Sequence, residues 1–275
     1  MKALAQEFRI SGTRIGIVPT MGALHDGHIS LVKIARKYCD VIVMSLFVNP
    51  AQFGVNEDFA VYPRDFDGDC ARAERAGVNV LFSPAAAEMY PADFEVYISA
   101  DRLGSVLEGA VRPGHFRGML TVVAKLFNIV QPHTAVFGQK DYQQAALITR
   151  MNRDLNFGIG IIVAPIIREP DGLAMSSRNV YLTGAQREQA RALSQSLRIA
   201  EELLGRGAHL PSEIIAAMQT IILREPEAVV DYITIAHPET LAPLEELQSG
   251  GSAVIALAVR FGKTRLIDNA IVKIV

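Results

Sequence analysis

The sequence has few cysteines, no excess of basic charge and no long apolar runs, and each shortage excludes a class of protein. Its two cysteines, Cys39 and Cys70, form no C-x-x-C pattern, which argues against a disulfide framework and favours a reducing compartment. A formal net charge of -2 gives no basic footprint, so we expect no nucleic-acid partner. Apolar runs such as residues 253–259 fall far short of the roughly 20 residues that span a bilayer, so we expect no membrane partner.

The N-terminal segment carries the charges of Lys2, Glu7 and Arg9 and lacks the apolar stretch of a signal peptide. We therefore expect a cytoplasmic protein. With 275 residues, the chain can form one large domain, or a large and a small one.

Apolar strand-like runs alternate with helix-patterned segments from about residue 14 to residue 168. The predicted strands are residues 15–18, 41–47, 78–82, 134–137 and 160–167, and the predicted helices are residues 27–39, 67–76, 118–130 and 142–156. This alternation predicts an α/β fold with a Rossmann-like parallel sheet covered on both faces. Because ligands bind at the carboxyl ends of such strands, the segments that follow them are candidate site residues.

The pattern changes after residue 179. An amphipathic helix over residues 183–206 is predicted, followed by a helix over residues 212–223 and strands over residues 232–236, 253–261 and 265–272. The apolar stripe of the first helix consists of Ala190, Leu193, Leu197, Ala200 and Leu204. Gly262-Lys263 has the form of a hairpin turn. We therefore predict a nucleotide-binding domain over residues 1–179 and a smaller α+β domain over residues 180–275.

Residues 19–28, Pro-Thr-Met-Gly-Ala-Leu-His-Asp-Gly-His, link the first strand to the first helix of this sheet. Free N–H groups at a helix N-terminus favour an anion, and Gly22 and Gly27 leave room for a nucleotide near the backbone. His25 and His28 can both direct an N–H toward phosphate oxygens. Taken alone, the segment is also compatible with a glycine turn that binds nothing and with a solvated helix start.

Two further segments follow predicted strands. Pro50 cannot continue a central strand, so Asn49 and Gln52 are exposed by a turn, where their amides could orient a hydroxylated acid. Lys140, in Gly138-Gln139-Lys140-Asp141, is a point charge suited to a phosphate, and Asp141 could cap the next helix or orient the lysine. A loop-capping asparagine and a surface Lys-Asp pair are the simpler alternatives.

Residues 168–179 combine a turn with hydroxyl groups and a guanidinium. Ser176 and Ser177 could donate to phosphate oxygens while Arg178 balances developing charge, although a solvated domain linker would have the same composition. Asp65, Asp67 and Asp69 could suggest a metal site. An N-cap at Asp67 and a solvated acidic turn are the preferred interpretations, and no protein metal ligand is predicted.

Together, these segments resemble the pantoate–β-alanine ligase (pantothenate synthetase) family over essentially the whole chain. The matching pieces are residues 19–28, 47–53, 62–64, 112–116, 137–144 and 175–179, in family order. His25-Asp26-Gly27-His28 also resembles the H-x-G-H signature of the wider nucleotidyltransferase superfamily, which includes class I aminoacyl-tRNA synthetases. Residues 175–178 resemble that group's K-M-S-K-S loop but lack its lysines, which leaves Lys140 and Arg178 as cationic partners and argues against a tRNA-charging enzyme.

The resemblance implies ATP-dependent condensation of (R)-pantoate with β-alanine to pantothenate, AMP and pyrophosphate through a pantoyl-adenylate. It implies that ATP is a substrate and that Mg²⁺ is held chiefly by nucleotide oxygens and water. It also implies a homodimer. Because an acyl-adenylate is hydrolysable, a lid that excludes water is needed. Residues 180–275 and the loop of residues 175–179 are the candidates.

The resemblance also assigns the site residues. It implies catalytic roles for His25, His28, Lys140 and Arg178, with His28 as proton donor. It implies ATP binding by Met21, Gly22, His25, Gly27, His28, Gly138, Lys140, Asp141, Ile167, Met175, Ser176, Ser177 and Arg178. It implies substrate binding by Pro19, Thr20, Met21, Asn49, Gln52 and Gln144.

Two other functions would use a similar nucleotide site. A nucleotidyltransferase that passes AMP to a phosphorylated acceptor would need a cationic acceptor pocket, whereas Asn49, Gln52 and Gln144 suit a neutral polyol acid. A sensor that binds ATP without chemistry would not need the donors of His28, Lys140, Ser176 and Arg178 around the α-phosphate.

Overall fold

The computed structural model describes residues 1–54 and 57–274. Its contacts divide the chain into an N-terminal unit, residues 1–139 with 143–165, and a C-terminal unit, residues 140–142 with 166–275. The helices are α1 (Lys2–Ile10), α2 (Asp26–Ala35), α3 (Phe66–Arg75), α4 (Ala86–Met89), α5 (Glu108–Val111), α6 (His115–Val130), α7 (Tyr142–Asp154), α8 (Gly184–Ala190), α9 (Ala192–Gly205) and α10 (Pro211–Ile222). The strands are β1 (Ile15–Thr20), β2 (Val41–Leu46), β3 (Val80–Phe82), β4 (Thr134–Gly138), β5 (Gly160–Ala164), β6 (Ala228–Ala236), β7 (Ser252–Phe261) and β8 (Thr264–Lys273). Short 3-10 helices cover Pro50–Gln52, Gln139–Asp141 and Ser177–Tyr181.

The N-terminal unit contains a parallel five-stranded sheet in the order β3-β2-β1-β4-β5. The chain moves from β1 outward through β2 to β3, and β4 then returns to the other side of β1. The strand order therefore reverses between β1 and β4, the position at which open α/β sheets bind ligands. The predicted α/β fold is confirmed.

Both faces of this sheet are buried. Ile15 and Ile17 of β1 pack in one core with α6 and α7, and Val18 packs in a second core with residues of α2. Because successive strand side chains point to opposite faces, this division follows from the apolar run of β1.

The C-terminal unit contains an antiparallel sheet in the order β6-β7-β8, packed against α9 and α10. Gly262, with φ +56°, and Lys263 form the predicted hairpin turn between β7 and β8. The five predicted stripe residues from Ala190 to Leu204 are all buried. The smaller α+β domain is confirmed as a fold.

Three details differ from the sequence-based prediction. β5 ends at Ala164 rather than residue 167, because Pro165 has no N–H to donate to a ladder. The predicted helix over residues 183–206 is interrupted at Arg191, between α8 and α9. Residues 166–179, predicted to belong with the N-terminal domain, group with the C-terminal unit by their contacts. Within residues 1–54 and 57–274, no helix is both long and apolar enough to cross a membrane.

Candidate active site

The loop after β1 has a conformation that only a few residue types adopt easily. Gly22 has a φ of +83° and Ala23 a φ of +51°. A Cβ on Gly22 would also lie 2.9 Å from Asp69 Oδ2. Gly22 is therefore required by both backbone conformation and space.

The carboxylate of Asp69 holds this loop in place. Its Oδ2 accepts from the backbone N–H of Ala23 at 2.8 Å, and its Oδ1 accepts from that of Leu24 at 2.7 Å. Asp69 lies in the first turns of α3 and is only 4% exposed. The prediction of a solvated acidic turn was wrong for Asp69, and the N-cap of α3 is Asp65, which accepts from Gly68 N, rather than Asp67.

His25 and His28 lie together at the start of α2. His25 is the N-cap residue, and its backbone N–H donates to His28 Nδ1 at 3.2 Å. The ring centroids are 4.1 Å apart and both side chains are half-buried. Because Nδ1 accepts, a neutral His28 carries its proton on Nε2, which makes Nε2 a hydrogen-bond donor.

Gln52, in the segment that follows β2, contacts the loop after β1. Its Oε1 accepts from Asn49 Nδ2 at 3.1 Å, and its Nε2 is 3.0 Å from Met21 Sδ. The prediction that Asn49 and Gln52 are exposed was wrong, because Asn49 is 1% and Gln52 7% exposed. Asn49 also donates to Gly118 O and accepts from Ala51 N. Asn49 therefore caps the 3-10 helix Pro50–Gln52 and orients Gln52.

His115 also holds Gln52 in place, by a contact with the backbone oxygen of Gln52. His115 Nδ1 is 2.7 Å from Gln52 O, and its Nε2 is 3.1 Å from Arg112 Nη1. Since a guanidinium can only donate, Nε2 is the acceptor and Nδ1 donates to the carbonyl of Gln52. Burial, helped by the Arg112 charge, lowers the pKa of His115 to about 4.

Arg112 is in turn fixed by Glu57. The guanidinium forms two hydrogen bonds with the Glu57 carboxylate, at 2.6 and 2.7 Å. Burial acts to raise the pKa of Glu57, but its hydrogen bond and charge interaction with Arg112 outweigh burial and hold that pKa below its ordinary value. Arg112 and His115 therefore brace Gln52.

The neighbouring glutamines of α7 differ in their surroundings. Gln143 is buried, accepts from Glu108 N and donates to Leu103 O and Val106 O. Gln144 is half-buried and forms no such bonds within residues 1–54 and 57–274. Gln143 is thus structural, and Gln144 is the one with amide atoms available for a ligand.

In the C-terminal unit, Lys140 lies in the 3-10 helix Gln139–Asp141. Its Nζ is 3.8 Å from Asp141 Oδ1, and its side chain is 21% exposed. Its backbone oxygen accepts from Asn269 Nδ2 at 3.0 Å. Of the two roles considered for Asp141, the contact matches orientation of the lysine.

Residues 167–179 form a short hairpin that leads into a 3-10 helix. Arg168 and Ala174 form an antiparallel bridge, and Met175 N donates to Ile167 O at 3.0 Å. Ser176 Oγ accepts from Arg178 N at 3.3 Å and caps the 3-10 helix Ser177–Tyr181. The side chains of residues 175–178 are all half-buried.

Ion pairs of Arg168 and Glu169 fix the first strand of this hairpin. Arg168 contacts Asp268 through two hydrogen bonds, at 2.6 and 3.0 Å. Glu169 pairs with Arg187 and accepts from Asn179 Nδ2 at 2.7 Å. The segment is an ordered part of its unit, which argues against a solvated linker.

The remaining predicted residues have simple placements. Pro19 and Thr20 end β1, and Thr20 Oγ1 donates to Ser45 O at 2.6 Å. Gly27 is the second residue of α2, and Gly138 is the last residue of β4. Within the N-terminal unit the structure brings together Met21, Asn49 and Gln52; within the C-terminal unit it pairs Lys140 with Asp141.

Sequence reasoning missed Asp69, Asp268 and Asn269. Asp69 has one usable signal: it lies four residues before the buried Ala73 and so shares the buried face of α3. Asp268 and Asn269 interrupt an apolar strand in a way that gives no indication of what they contact.

The chemistry available is anion binding and hydrogen-bond donation. The N-terminus of α2 and His28 provide donors in one unit, and Lys140, Ser176, Ser177 and Arg178 provide hydroxyl and cationic groups in the other. Within residues 1–54 and 57–274, no group of three or more His, Cys, Asp or Glu side chains could hold a metal ion.

Comparisons with known proteins agree with this chemistry. The family model for pantoate-beta-alanine ligase matches residues 1–271. A pantothenate synthetase of Moorella thermoacetica is 53% identical over 266 residues, 97% of this chain and 93% of that protein. The crystal structure of pantothenate synthetase from Thermus thermophilus has a TM-score of 0.91 at 46% identity, covering 97% of this chain and 96% of that chain. Pantoate-beta-alanine ligase from Francisella tularensis, solved with beta-gamma ATP and beta-alanine, has a TM-score of 0.79 at 37% identity, with coverages of 98% and 94%.

Proposed function

Because this chain belongs to the pantoate–β-alanine ligase family, we propose that it condenses (R)-pantoate with β-alanine using ATP. A pantoyl-adenylate forms first, with release of pyrophosphate, and β-alanine then displaces AMP to give pantothenate. The observation that carries the proposal is the family match over residues 1–271, together with a glycine loop that Asp69 holds at the start of α2.

In the first step the pantoate carboxylate attacks the α-phosphorus, and the bond to pyrophosphate breaks. Negative charge approaches negative charge, so donors must be concentrated on the phosphates. We assign this role to His25, His28, Lys140, Ser176, Ser177 and Arg178. We propose further contacts with ATP from Met21, Gly22, Gly27, Gly138, Asp141, Ile167 and Met175. His28 Nε2–H is the proposed proton donor, a role supported by the bond from His25 N to His28 Nδ1.

For the acid substrate we propose Gln52 and Gln144 as the direct partners. Pro19, Thr20 and Met21 line the approach from β1. The engaged amide of Asn49 supports a role in orienting Gln52 rather than in contacting pantoate.

ATP is expected to arrive as its Mg²⁺ complex. Phosphate oxygens and water are suited to Mg²⁺, which keeps much of its hydration. Asp69 of α3, whose carboxylate contacts the β1 loop, already accepts two backbone N–H groups. This supports a metal that enters with the nucleotide and is held by it.

We further propose that residues 180–275 form a lid domain, that two chains form a homodimer and that the enzyme is cytoplasmic. The lid is supported by the separate core of the C-terminal unit. The lid predicts that amide hydrogen exchange in residues 180–275 slows when MgATP and pantoate are both present. Sedimentation equilibrium would test the dimer. Cell fractionation would test the location.

The decisive experiment is exchange of radiolabelled pyrophosphate into ATP, with Mg²⁺ and (R)-pantoate but without β-alanine. We expect exchange that requires pantoate, and a fall by orders of magnitude in His28→Ala with the fold retained. Folded protein that binds ATP but supports no exchange, even after β-alanine is added, would contradict the ligase. AMP transfer to a phosphorylated acceptor, or ATP binding with no reaction, would identify one of the two alternatives.

A further inference from the structure

Two adjacent polar residues, Asp268 and Asn269, lie buried in the middle of β8. Asp268 is 2% exposed and Asn269 is 3% exposed. They pair with Leu257 and Ala256 of β7, which are both apolar and buried. A buried polar side chain is costly unless it is hydrogen-bonded, so the partners of these two residues indicate their role.

Asp268 contacts the first strand of the hairpin of residues 167–179, which contains Met175–Arg178. Its carboxylate binds the Arg168 guanidinium in two-point fashion, and Arg168 Nη1 also donates to Gly172 O at 3.1 Å. The turn of the hairpin and its first strand are thereby tied to β8. Paired hydrogen bonds of this kind fix orientation as well as distance.

Asn269 contacts the other cationic segment. Its Nδ2 donates to the backbone oxygen of Lys140 at 3.0 Å. The bond fixes the main chain of the 3-10 helix from which the Lys140 side chain projects, while leaving the ammonium group available. Successive strand residues point to opposite faces, so one dipeptide can hold two separate segments.

We propose that Asp268 and Asn269 are positioning residues that set Lys140 and the segment Met175–Arg178 in register for the phosphates of ATP. The inference rests on the proposed function, since it assumes that these segments bind phosphates. Apolar side chains would fill the same positions of β8 without the desolvation cost of a buried carboxylate and amide. The contacts with the two segments account for the polar pair.

The test is a double-mutant cycle between Asn269 and Lys140, measured by pantoate-dependent pyrophosphate exchange on the full chain. Asn269→Asp keeps the side-chain shape but removes the donor to Lys140 O. We expect exchange to fall about 10- to 100-fold, the effect of a misplacement near 1 Å, with the KM for pantoate changed less than twofold. In a Lys140→Ala background, the same change should lower the residual exchange by less than about threefold, because coupled residues are not additive.

Matched variants separate positioning from folding. Asn269→Ala removes the donor without adding charge and should reproduce the loss if Asn269→Asp misfolds, with melting temperature as the check. Asp268→Asn should lower exchange, whereas Asp231→Asn, which removes a carboxylate paired with Arg265 at 2.6 Å on the same sheet, should leave it unchanged.

The outcomes distinguish this inference from the function on which it rests. Near-normal exchange in Lys140→Ala overturns the role of Lys140 and the inference with it. Loss in Lys140→Ala, with normal exchange in both Asn269 variants, overturns the inference alone. An equal loss from Asn269→Asp in both backgrounds also overturns it, because Asn269 would then act on the fold and not through Lys140.

Discussion

At the scale of single residues, the Asp69 carboxylate holds the conformation of the β1 loop. It satisfies two backbone N–H groups of a loop that must stay open to phosphates. Removing one acceptor from a charge-assisted pair costs about 1.5–3 kcal/mol. The β1 loop would then sample conformations in which its remaining N–H groups no longer converge on an anion.

We therefore expect Asp69→Asn to lower kcat/KM for ATP about 10- to 100-fold, which is the kinetic equivalent of that loss. Steady-state kinetics with varied ATP would measure it. Asp67→Asn is the matched control, because Asp67 is exposed on the same turn of α3. An Asp69→Asn enzyme with unchanged kcat/KM for ATP would show that the loop holds its shape without the carboxylate.

The same residue shows why side-chain partners were harder to predict than motifs. His25, His28 and Lys140 could be chosen from sequence because each chemistry follows from the residue type and from its place after a strand. Asp69 was misinterpreted because its partners, Ala23 and Leu24, lie more than 40 residues away along the chain. Residues 65–69 alone do not distinguish a buried carboxylate from a solvated one, and the only local signal is the spacing of Asp69 to Ala73 on the same face of α3.

At the scale of elements, the close packing of α6 on the 3-10 helix Pro50–Gln52 determines where Gln52 lies. Gly118 of α6 provides the space, because a Cβ there would overlap the carbonyl oxygen of Ala51. Gly118 O also accepts from Asn49 Nδ2. The position of Gln52 thus depends on a glycine in the neighbouring helix.

We expect Gly118→Ala to destabilise the protein by about 1–3 kcal/mol, the usual cost of overpacking, and to raise KM for pantoate. Denaturant unfolding and pantoate kinetics would measure the two effects. Gly184→Ala, in α8, is the control: a Cβ there meets nothing within 4 Å, so stability should be unchanged or slightly higher. A Gly118→Ala protein with normal stability and normal pantoate KM would refute this account of Gln52.

Element types were predictable, and their ends less so. The β1, β2 and β4 runs are apolar and short, and the stripe from Ala190 to Leu204 is periodic, so both were recognised. Helix α1 was not predicted from the sequence, and Ala5 is the only one of its residues that is buried. The end of β5 could have been found from Pro165, which cannot extend a ladder.

At the scale of the whole molecule, the fold class followed from strand and helix alternation, but the grouping of residues did not. Residues 166–179 group with the C-terminal unit, within which Arg168 pairs with Asp268, a contact between residues 100 positions apart. The amino-acid composition changes after residue 179, where the charged helices begin. Composition therefore predicts a domain boundary at a different residue from the one given by the contacts. Long-range ion pairs leave no local pattern in a sequence.

We predict that His115 contributes to the pH dependence of the free energy of unfolding. Burial and the charge of Arg112 hold its folded pKa at about 4, against an ordinary value of 6.5. As the pH falls from 7 to 5, the unfolded chain takes up a proton at this histidine and the folded chain does not. Unfolding is therefore favoured, and the free energy of unfolding should fall by about 2 kcal/mol over this range.

His115→Asn isolates the contribution of the histidine, because an asparagine amide can still donate to Gln52 O but does not titrate. The groups facing His115 are Arg112, Glu57 and Glu108. A guanidinium is not deprotonated in proteins, and Arg112 holds the pKa of Glu57 below its ordinary value. We expect urea unfolding of the variant to lose about 2 kcal/mol less than the parent protein between pH 7 and pH 5. Parallel losses in the two proteins would mean that His115 is protonated in the folded state, and that its Nε2 is not the acceptor facing Arg112.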